Sequence, residues 1–356
     1  MSIQYKILHT EKTAHDEEIW DVIWQDENTI ITSSLDDQVK AWTFDPESGK
    51  IAHKNNLLNN TQQTPHNLGV NSIDYSKQLE VIVTRSLDSF IRSFNKDYEL
   101  VKQLDCTPVN SWNIKFFPNG RFIATGSMTG HVHIINASNM EAIQLFDTKL
   151  KFVVGLAISD DGKLLACSGM DGKVVVFEIS YLLENGMKEN SAENNDENNM
   201  KIDDEEQQKN QTEQEIQANC TTISAKVKHD FEAHKHPIRC LCFDSTGQNL
   251  ITGSDDKLIK IFNLEGATMT VLDTLCGHGG WILAIRKSPD NRHIVSSSAD
   301  GKIKVWDMLN RECVNTFDSH SGQKCWAVAY SPDGSKIASV SSDKSLVVYD
   351  CPTINV

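Results

Sequence analysis

The chain has no apolar run of the roughly 18 residues needed to cross a bilayer. Its first residues, MSIQYKILHTEK, lack the apolar core of a secretory signal. Positive charge is scarce: 34 Lys and Arg stand against 49 Asp and Glu, a formal net charge of −15. A protein that grips a phosphate backbone usually carries basic patches, so this balance argues against direct nucleic-acid binding. There is no P-loop, no G-x-G-x-x-G and no H-E-x-x-H. Nucleotide binding and zinc-protease chemistry therefore have no motif to rest on, and no cofactor or metal is expected. The nine cysteines are scattered and odd in number, which suits reduced thiols better than a disulfide framework.

What is present is an ordinary globular composition, 39% hydrophobic over 356 residues. Length alone would suggest about two domains, but the chain repeats itself. SLDDQVKAW (Ser34–Trp42), SLDSFIRSF (Ser86–Phe94), SMTGHVHII (Ser127–Ile135), GMDGKVVVF (Gly169–Phe177), SDDKLIKIF (Ser254–Phe262), SADGKIKVW (Ser298–Trp306) and SSDKSLVVY (Ser341–Tyr349) are seven copies of one pattern. Their spacing is near 43 residues, apart from a step of 52 between Trp42 and Phe94 and one of 85 between Phe177 and Phe262. That period is the signature of a WD40 propeller blade. Within each period, short alternating segments such as WDVIW, RCLCF and WAVAY are divided by turn clusters such as FPNG, SDDG and SPDG, the pattern of strands. The expectation is a single all-β, seven-bladed ring over residues 1–356. The segment Ile3–Leu8 is expected to supply the outermost strand of the last blade beside Leu346–Tyr349, which removes an open sheet edge.

The long step holds an insertion. Residues 184–218 carry eleven Asp and Glu, three Lys, twelve Asn and Gln and no aromatic residue. Such a segment buries too little apolar surface to offset its ordering entropy, so disorder is expected within blade four. The third strand of that blade should end near Ile179 and the fourth resume near Lys226–Phe231.

Ser, His and Asp recur inside the repeats and invite comparison with a catalytic triad. Asp36, Asp88, Asp171, Asp256, Asp300 and Asp343 stand six residues before the closing position, with Thr129 in the third copy. His15, His66, His234, His278 and His320 precede five of those Asp residues by 21 to 23 positions. A catalytic group would occur once; this one is a building unit. Asp orients His, His reaches a Ser or Thr hydroxyl, and the hydroxyl reaches an indole N–H where Trp is present. The full sets are His15, Thr32, Asp36 and Trp42 in blade one and His278, Ser296, Asp300 and Trp306 in blade six. No catalytic residue is expected. Blades three and four lack the His and should be held by apolar packing. His131 and His133 read as a surface pair, and Cys240 and Cys242 as small side chains of an innermost strand.

Function should then lie on an exposed face. The first position of each innermost strand holds Trp20, Asn71, Trp112, Val154, Arg239, Leu283 and Trp326. Glu18, Gly69, Asn110, Phe152, Pro237, Trp281 and Lys324 lie two residues earlier. The turn before the repeat Asp holds Leu35, Leu87, Met128, Met170, Asp255, Ala299 and Ser342. Trp20, Leu35, Leu87, Trp112, Met128, Phe152, Val154 and Met170 would form an apolar arc for a partner, extended by Trp326, with Arg239, Asp255 and Trp281 also on that face. A partner peptide with an apolar anchor and a basic residue near Asp255 would fit.

QYKILHTEKTAHDEEIWDVIW, SLDDQVKAW, HPIRCLCF, SSSADGKIKVWD and the closing VVYDCP resemble the small WD40 subunit of the superkiller (Ski) complex, which in animals also serves the PAF transcription elongation complex. The resemblance covers nearly the whole chain except the acidic insertion. It implies a non-enzymatic scaffold, monomeric by itself, in the cytoplasm and nucleus. The implied partners are the tetratricopeptide and RNA helicase subunits that feed messenger RNA to the cytoplasmic exosome, and PAF complex subunits. It places the peptide-binding surface on the same face, at Trp20, Trp112, Arg239 and Trp326. The alternative expectation is a histone-tail reader in a chromatin-modifying complex.

Overall fold

A computed structural model describes residues 5–57, 66–106, 111–182, 220, 222–266 and 268–351. The acidic stretch 184–218 lies outside them, as does Asn110. Among the described residues the alternating segments form 28 strands. They assemble into seven four-stranded sheets, each antiparallel and each built, with one exception, from four consecutive strands. The molecule is a seven-bladed β-propeller.

Blade one is Ile19–Trp24, Thr29–Ser34, Val39–Asp45 and Lys50–Asn56, from the channel outward. Blades two to six occupy 70–105, 111–147, 153–232, 238–275 and 282–317. Blade seven takes Cys325–Tyr330, Lys336–Ser341 and β28 (Leu346–Asp350) from the end of the chain. It takes its outermost strand, β1 (Lys6–Glu11), from the beginning.

Ile3 and Gln4 of the expected Ile3–Leu8 lie outside the described residues, and the closing strand runs three residues past Leu8, to Glu11. Lys6 pairs with Asp350 and Glu11 with Leu346, and a bulge falls between Ile7 and His9. The bulge leaves Leu8 free to pack on the cluster that holds Leu346 and Val348. His9, Thr10 and Glu11 are polar, and an outermost strand, with one solvated side, accepts them. The hairpin of blade four is also longer than expected. Its third strand runs to Leu182 and its fourth begins at Thr222, ten pairs with one register shift between Val176 and Phe177. Tyr181 explains the extra length: its ring stacks on Phe122, and its hydroxyl donates to the Gly162 carbonyl at 2.8 Å.

The core lies between blades. Ile30, Trp42 and Phe44 of blade one pack on Ala327, Val340 and Val348 of blade seven. Phe122 and Ile134 of blade three pack on Leu165 and Phe177 of blade four. Each such side chain contributes roughly 1.5–3 kcal/mol of burial, so the ring stands on its seams. The innermost strands would otherwise leave backbone N–H groups unpaired at the channel. Side chains of the preceding blade accept from several of them. Asp21 Oδ2 takes Ile73 N at 3.0 Å, Ser72 Oγ takes Ile114 N at 3.4 Å, and Asp74 Oδ2 takes Phe116 N at 2.7 Å.

The repeated polar groups fill the outer part of five blades. In blade one His15 Nδ1 lies 2.8 Å from Asp36, His15 Nε2 lies 2.8 Å from Thr32 Oγ1, and Trp42 Nε1 donates to that hydroxyl at 2.8 Å. An indole N–H can only donate. Thr32 therefore accepts from Trp42 and gives its own proton to His15 Nε2, which leaves Nδ1–H for Asp36. Blade six repeats this with His278, Asp300, Ser296 and Trp306 at 3.1, 2.8 and 2.8 Å. In blade seven Tyr349 replaces the Trp, its hydroxyl 2.9 Å from Ser339 Oγ. In blade five Phe262 fills the same place without a polar link; His234 still meets Asp256 at 2.7 Å and Thr252 at 2.8 Å. Blade two adds a cation that the sequence pattern does not announce: Arg92 donates to Asp88 at 2.8 Å and crowds His66 Nδ1.

Blades three and four have no such group. Thr125 turns to the Asn113 carbonyl at 2.8 Å, and Cys167 is a buried thiol whose pKa burial pushes far up. Their turns depend on glycine instead. Gly130 (φ +82°) and Gly172 (φ +78°) lie so close to the Leu150 and His234 carbonyls that a Cβ would stand 1.9 and 2.1 Å from them.

Candidate functional site

One register fault recurs in every blade. Where the innermost strand begins, the pairing skips a residue: between Ile19 and Asp21, Val70 and Ser72, Ser111 and Asn113, and Val153 and Gly155. It skips again between Ile238 and Cys240, Ile282 and Ala284, and Cys325 and Ala327. The skipped residues are Trp20, Asn71, Trp112, Val154, Arg239, Leu283 and Trp326. A bulged residue leaves the ladder and its side chain is re-aimed. All seven line one cavity at the channel mouth.

A second set of positions is tied to the first. The turn N–H of Leu35 donates to the Glu18 carbonyl at 2.9 Å, Leu87 to Gly69 at 3.0 Å, and Met170 to Phe152 at 3.4 Å. Asp255 donates to Pro237 at 2.9 Å, Ala299 to Trp281 at 2.8 Å, and Ser342 to Lys324 at 2.9 Å. Among the described residues, turn and mouth loop are thus joined in six blades, and both belong to one face of the ring.

On this face several large apolar side chains meet solvent. Leu35, Leu87, Trp112, Met128 and Met170 are 36–49% exposed. Trp112 packs edge-on against the half-buried Phe152 of blade four, ring centroids 5.9 Å apart. Trp20 and Trp326 are half-buried and meet across the seam of blades one and seven at 6.1 Å. Gly69 lets Leu35 lie over its backbone: a Cβ there would fall 2.6 Å from Leu35 Cδ1.

Two expectations need correction. Val154 does not belong to the exposed arc; it is buried, in a strand start where Gly126 of blade three lies against Val153 and Gly155 lies against Ser168 and against the Arg239 carbonyl of blade five, so both neighbouring blades approach closely. Asp255 is not a free acid for a basic partner. Arg239 holds its carboxylate with two bonds, Nε to Oδ1 at 2.5 Å and Nη2 to Oδ2 at 2.9 Å. The same guanidinium covers the Trp281 ring at 4.9 Å. Arg239, Asp255 and Trp281 form one stacked unit, and Trp281 remains 45% exposed.

Of two further residues of this face, the sequence pattern misses one and gives the other no role. Leu68 is 54% exposed beside the Leu87 turn, two residues after the His66 of its blade, and counting forward from that His would have found it. Glu18 stands in the pattern only as a spacer. Its Oε2 accepts from Trp326 Nε1 at 3.0 Å and from Trp20 Nε1 at 3.5 Å.

The other candidate groups are structural. His131 bonds Thr129 at 3.1 Å. Cys240 and Cys242 sit in the innermost strand of blade five, and burial pushes the Cys242 thiol up to about 12. Among the described residues no three His, Cys, Asp or Glu side chains gather as metal ligands would.

Comparison with known proteins agrees with this architecture. The family model described as "WD domain, G-beta repeat" matches residues 6–43, 99–136, 143–178, 225–263, 269–307 and 311–350. The unmatched blade is the second, where Arg92 enters the polar group and no Trp closes the repeat. WD repeat-containing protein SL1-17 of Schistosoma mansoni is 30% identical over 353 residues, covering 98% of this chain and 99% of that protein. WD repeat-containing protein VIP3 of Arabidopsis thaliana is 27% identical over 192 residues, 48% of this chain and 57% of the other. WD repeat-containing protein 1 of Bos taurus is 27% identical over 57% of this chain and 34% of its own length. Proteins of this fold typically serve as non-enzymatic interaction scaffolds. The chain belongs to the WD40 repeat family.

Proposed function

We propose that this protein is a scaffold that captures a partner segment on the face carrying the seven bulged residues. One observation carries the reading: Leu35, Leu68, Leu87, Trp112, Met128 and Met170 are all exposed on that face. Turn residues are ordinarily polar, and a contiguous apolar patch rimmed by polar residues marks a contact site. Trp and Met suit the role, one as a rigid anchor and the other as an adaptable surface.

The partner we propose follows from the resemblance of the N-terminal block, the HPIRCLCF strand and the YDCP ending. It is the tetratricopeptide subunit of a superkiller complex, held beside an RNA helicase in messenger RNA decay, with a second role in a PAF elongation complex. Such a scaffold works in the cytoplasm and nucleus. The histone-tail reading is less favoured, because the acids at the channel mouth are engaged. Asp255 is held by Arg239, and Asp21 accepts from the backbone of Val22 and Ile73.

Affinity purification with mass spectrometry tests the partner, and Trp112→Ala tests the face. A central Trp anchor is worth about 2 kcal/mol or more, so capture should fall roughly thirtyfold with an unchanged melting curve. Wild-type capture by both Trp20→Ala and Trp112→Ala would overturn the reading.

A further inference from the structure

The seam between blades one and seven is where the ring closes, and Glu18 sits across it. Its backbone is pinned: the Glu18 carbonyl accepts from Leu35 N at 2.9 Å and from Ser34 Oγ at 2.9 Å. Its side chain then reaches two indoles of different blades. Oε2 takes Trp326 Nε1 at 3.0 Å and Trp20 Nε1 at 3.5 Å, and Ser342 Oγ accepts from the same Trp326 N–H at 2.9 Å. The backbone closes beside it, Ala14 N donating to Lys344 O at 3.1 Å, while Lys344 Nζ reaches the Asp16 carbonyl.

We propose that Glu18 is a positioning residue for the scaffold's partner site: it fixes Trp20 and Trp326 with their N–H edges turned to its carboxylate and their rings prearranged for the partner. This rests on the proposal that the rim captures a partner segment. An exposed indole usually offers both a face and a donor. Here both donors are engaged by one carboxylate, so a partner carbonyl or carboxylate finds no free indole N–H at the seam. An aliphatic or aromatic side chain finds two prearranged rings, packed on each other at 6.1 Å, with Lys324 Nζ over the Trp326 ring at 5.5 Å. Holding two large side chains in the bound geometry before contact removes the ordering cost that binding would otherwise meet.

The test uses the full chain, with Glu18→Ala and Glu18→Gln, and the tetratricopeptide subunit as probe. Nitrogen-edited NMR follows the indole N–H resonances of Trp20 and Trp326, assigned by Trp→Phe variants. In Glu18→Ala both resonances should move, and affinity for the probe should fall about tenfold at an unchanged melting temperature. Glu18→Gln keeps an acceptor oxygen and should restore most of the affinity. Indole resonances left in place, or unchanged affinity in Glu18→Ala while Trp112→Ala loses capture, would overturn the role of Glu18 alone. Unchanged capture by Trp112→Ala would overturn the rim reading on which it rests.

Discussion

Acid should unfold this ring earlier than its carboxylates alone would require. His15, His66 and His234 are buried, and burial holds their pKa below the ordinary 6.5. In His66 the neighbouring Arg92 guanidinium pushes further in the same direction. An unfolded chain releases these imidazoles to water, where each takes a proton below pH 6.5. The folded chain refuses those protons until a lower pH. The stabilisation is therefore complete above 6.5 and declines as pH falls below it. One proton of difference is worth about 1.4 kcal/mol per pH unit, so three give at most roughly 4 kcal/mol per unit. A second decline follows at lower pH. Burial alone would raise Asp36, Asp88, Asp300 and Asp343, but hydrogen bonds from their His partners and from backbone N–H groups outweigh it. All four lie below the ordinary 3.8, and their contribution disappears below that value. One effect opposes the first decline: the net charge of −15 shrinks as pH approaches 5.2, which relieves self-repulsion. Urea midpoints at constant slope between pH 7.5 and 5.5 measure the sum. His234→Gln separates the two, because it removes one of the three imidazoles and leaves the surface charge nearly unchanged. The variant should be less stable at pH 7.5, and its decline with acid should be shallower by about a third. A midpoint that stays flat down to pH 5.5, or a variant as steep as the parent, would refute the reasoning.

Deleting residues 1–11 removes β1 and leaves Leu346–Asp350 as a bare edge. Five register pairs go with it, and so does the packing of Leu8 on its cluster. At about 1 kcal/mol per hydrogen bond, the deletion should cost several kcal/mol. Calorimetry should show a melting point lower by roughly 10 °C, and an unchanged melt would defeat the closure. Trp306→Phe keeps the ring but removes the N–H that Ser296 accepts at 2.8 Å. The expected cost is about 1–2 kcal/mol in urea unfolding. Trp306 is buried at 2% exposure, so binding at the rim should not change.

The seven repeats were legible because the pattern that names a blade is also what buries it. The alternation in SADGKIKVW puts Ile303, Val305 and Trp306 inside, and the same offsets serve the other six. The side of the ring that carries the apolar turns was legible too, since hydrogen-bonded turns are set by spacing. What was not legible depended on neighbours far apart in sequence. Glu18 gains its role from Trp326, 308 residues away. The Asp255 carboxylate is taken up by Arg239, and nothing in the SDDK turn foretells that. Val154 was misplaced because its burial depends on how closely blades three and five approach its strand at Gly126 and Gly155. The first strand runs on past Leu8 because a bulge, invisible in composition, lets polar residues continue the pairing.

The triad-like groups and the binding face are therefore coupled rather than separate. The Asp of each group immediately follows the turn residue: Leu35 precedes Asp36, Leu87 precedes Asp88, and Asp255 precedes Asp256. His15 reaches across the blade to that Asp, and Asp36 in turn accepts from the backbone N–H of Asp16 at 3.0 Å. The loop leading to the mouth residue is thus clamped to the turn that presents Leu35. In blade two Asp88 is clamped by His66, Asn67 N and Arg92 together. Blades three and four reach the same result differently. There Met128 and Met170 are presented by turns whose Gly130 and Gly172 lie against the backbone carbonyls of Leu150 and His234. A polar clamp and a glycine close approach do one job: they fix an apolar side chain in water, where a free loop would fold it away. In blades one and two, what looked like chemistry within a repeat supports the turns that hold Leu35 and Leu87 outward.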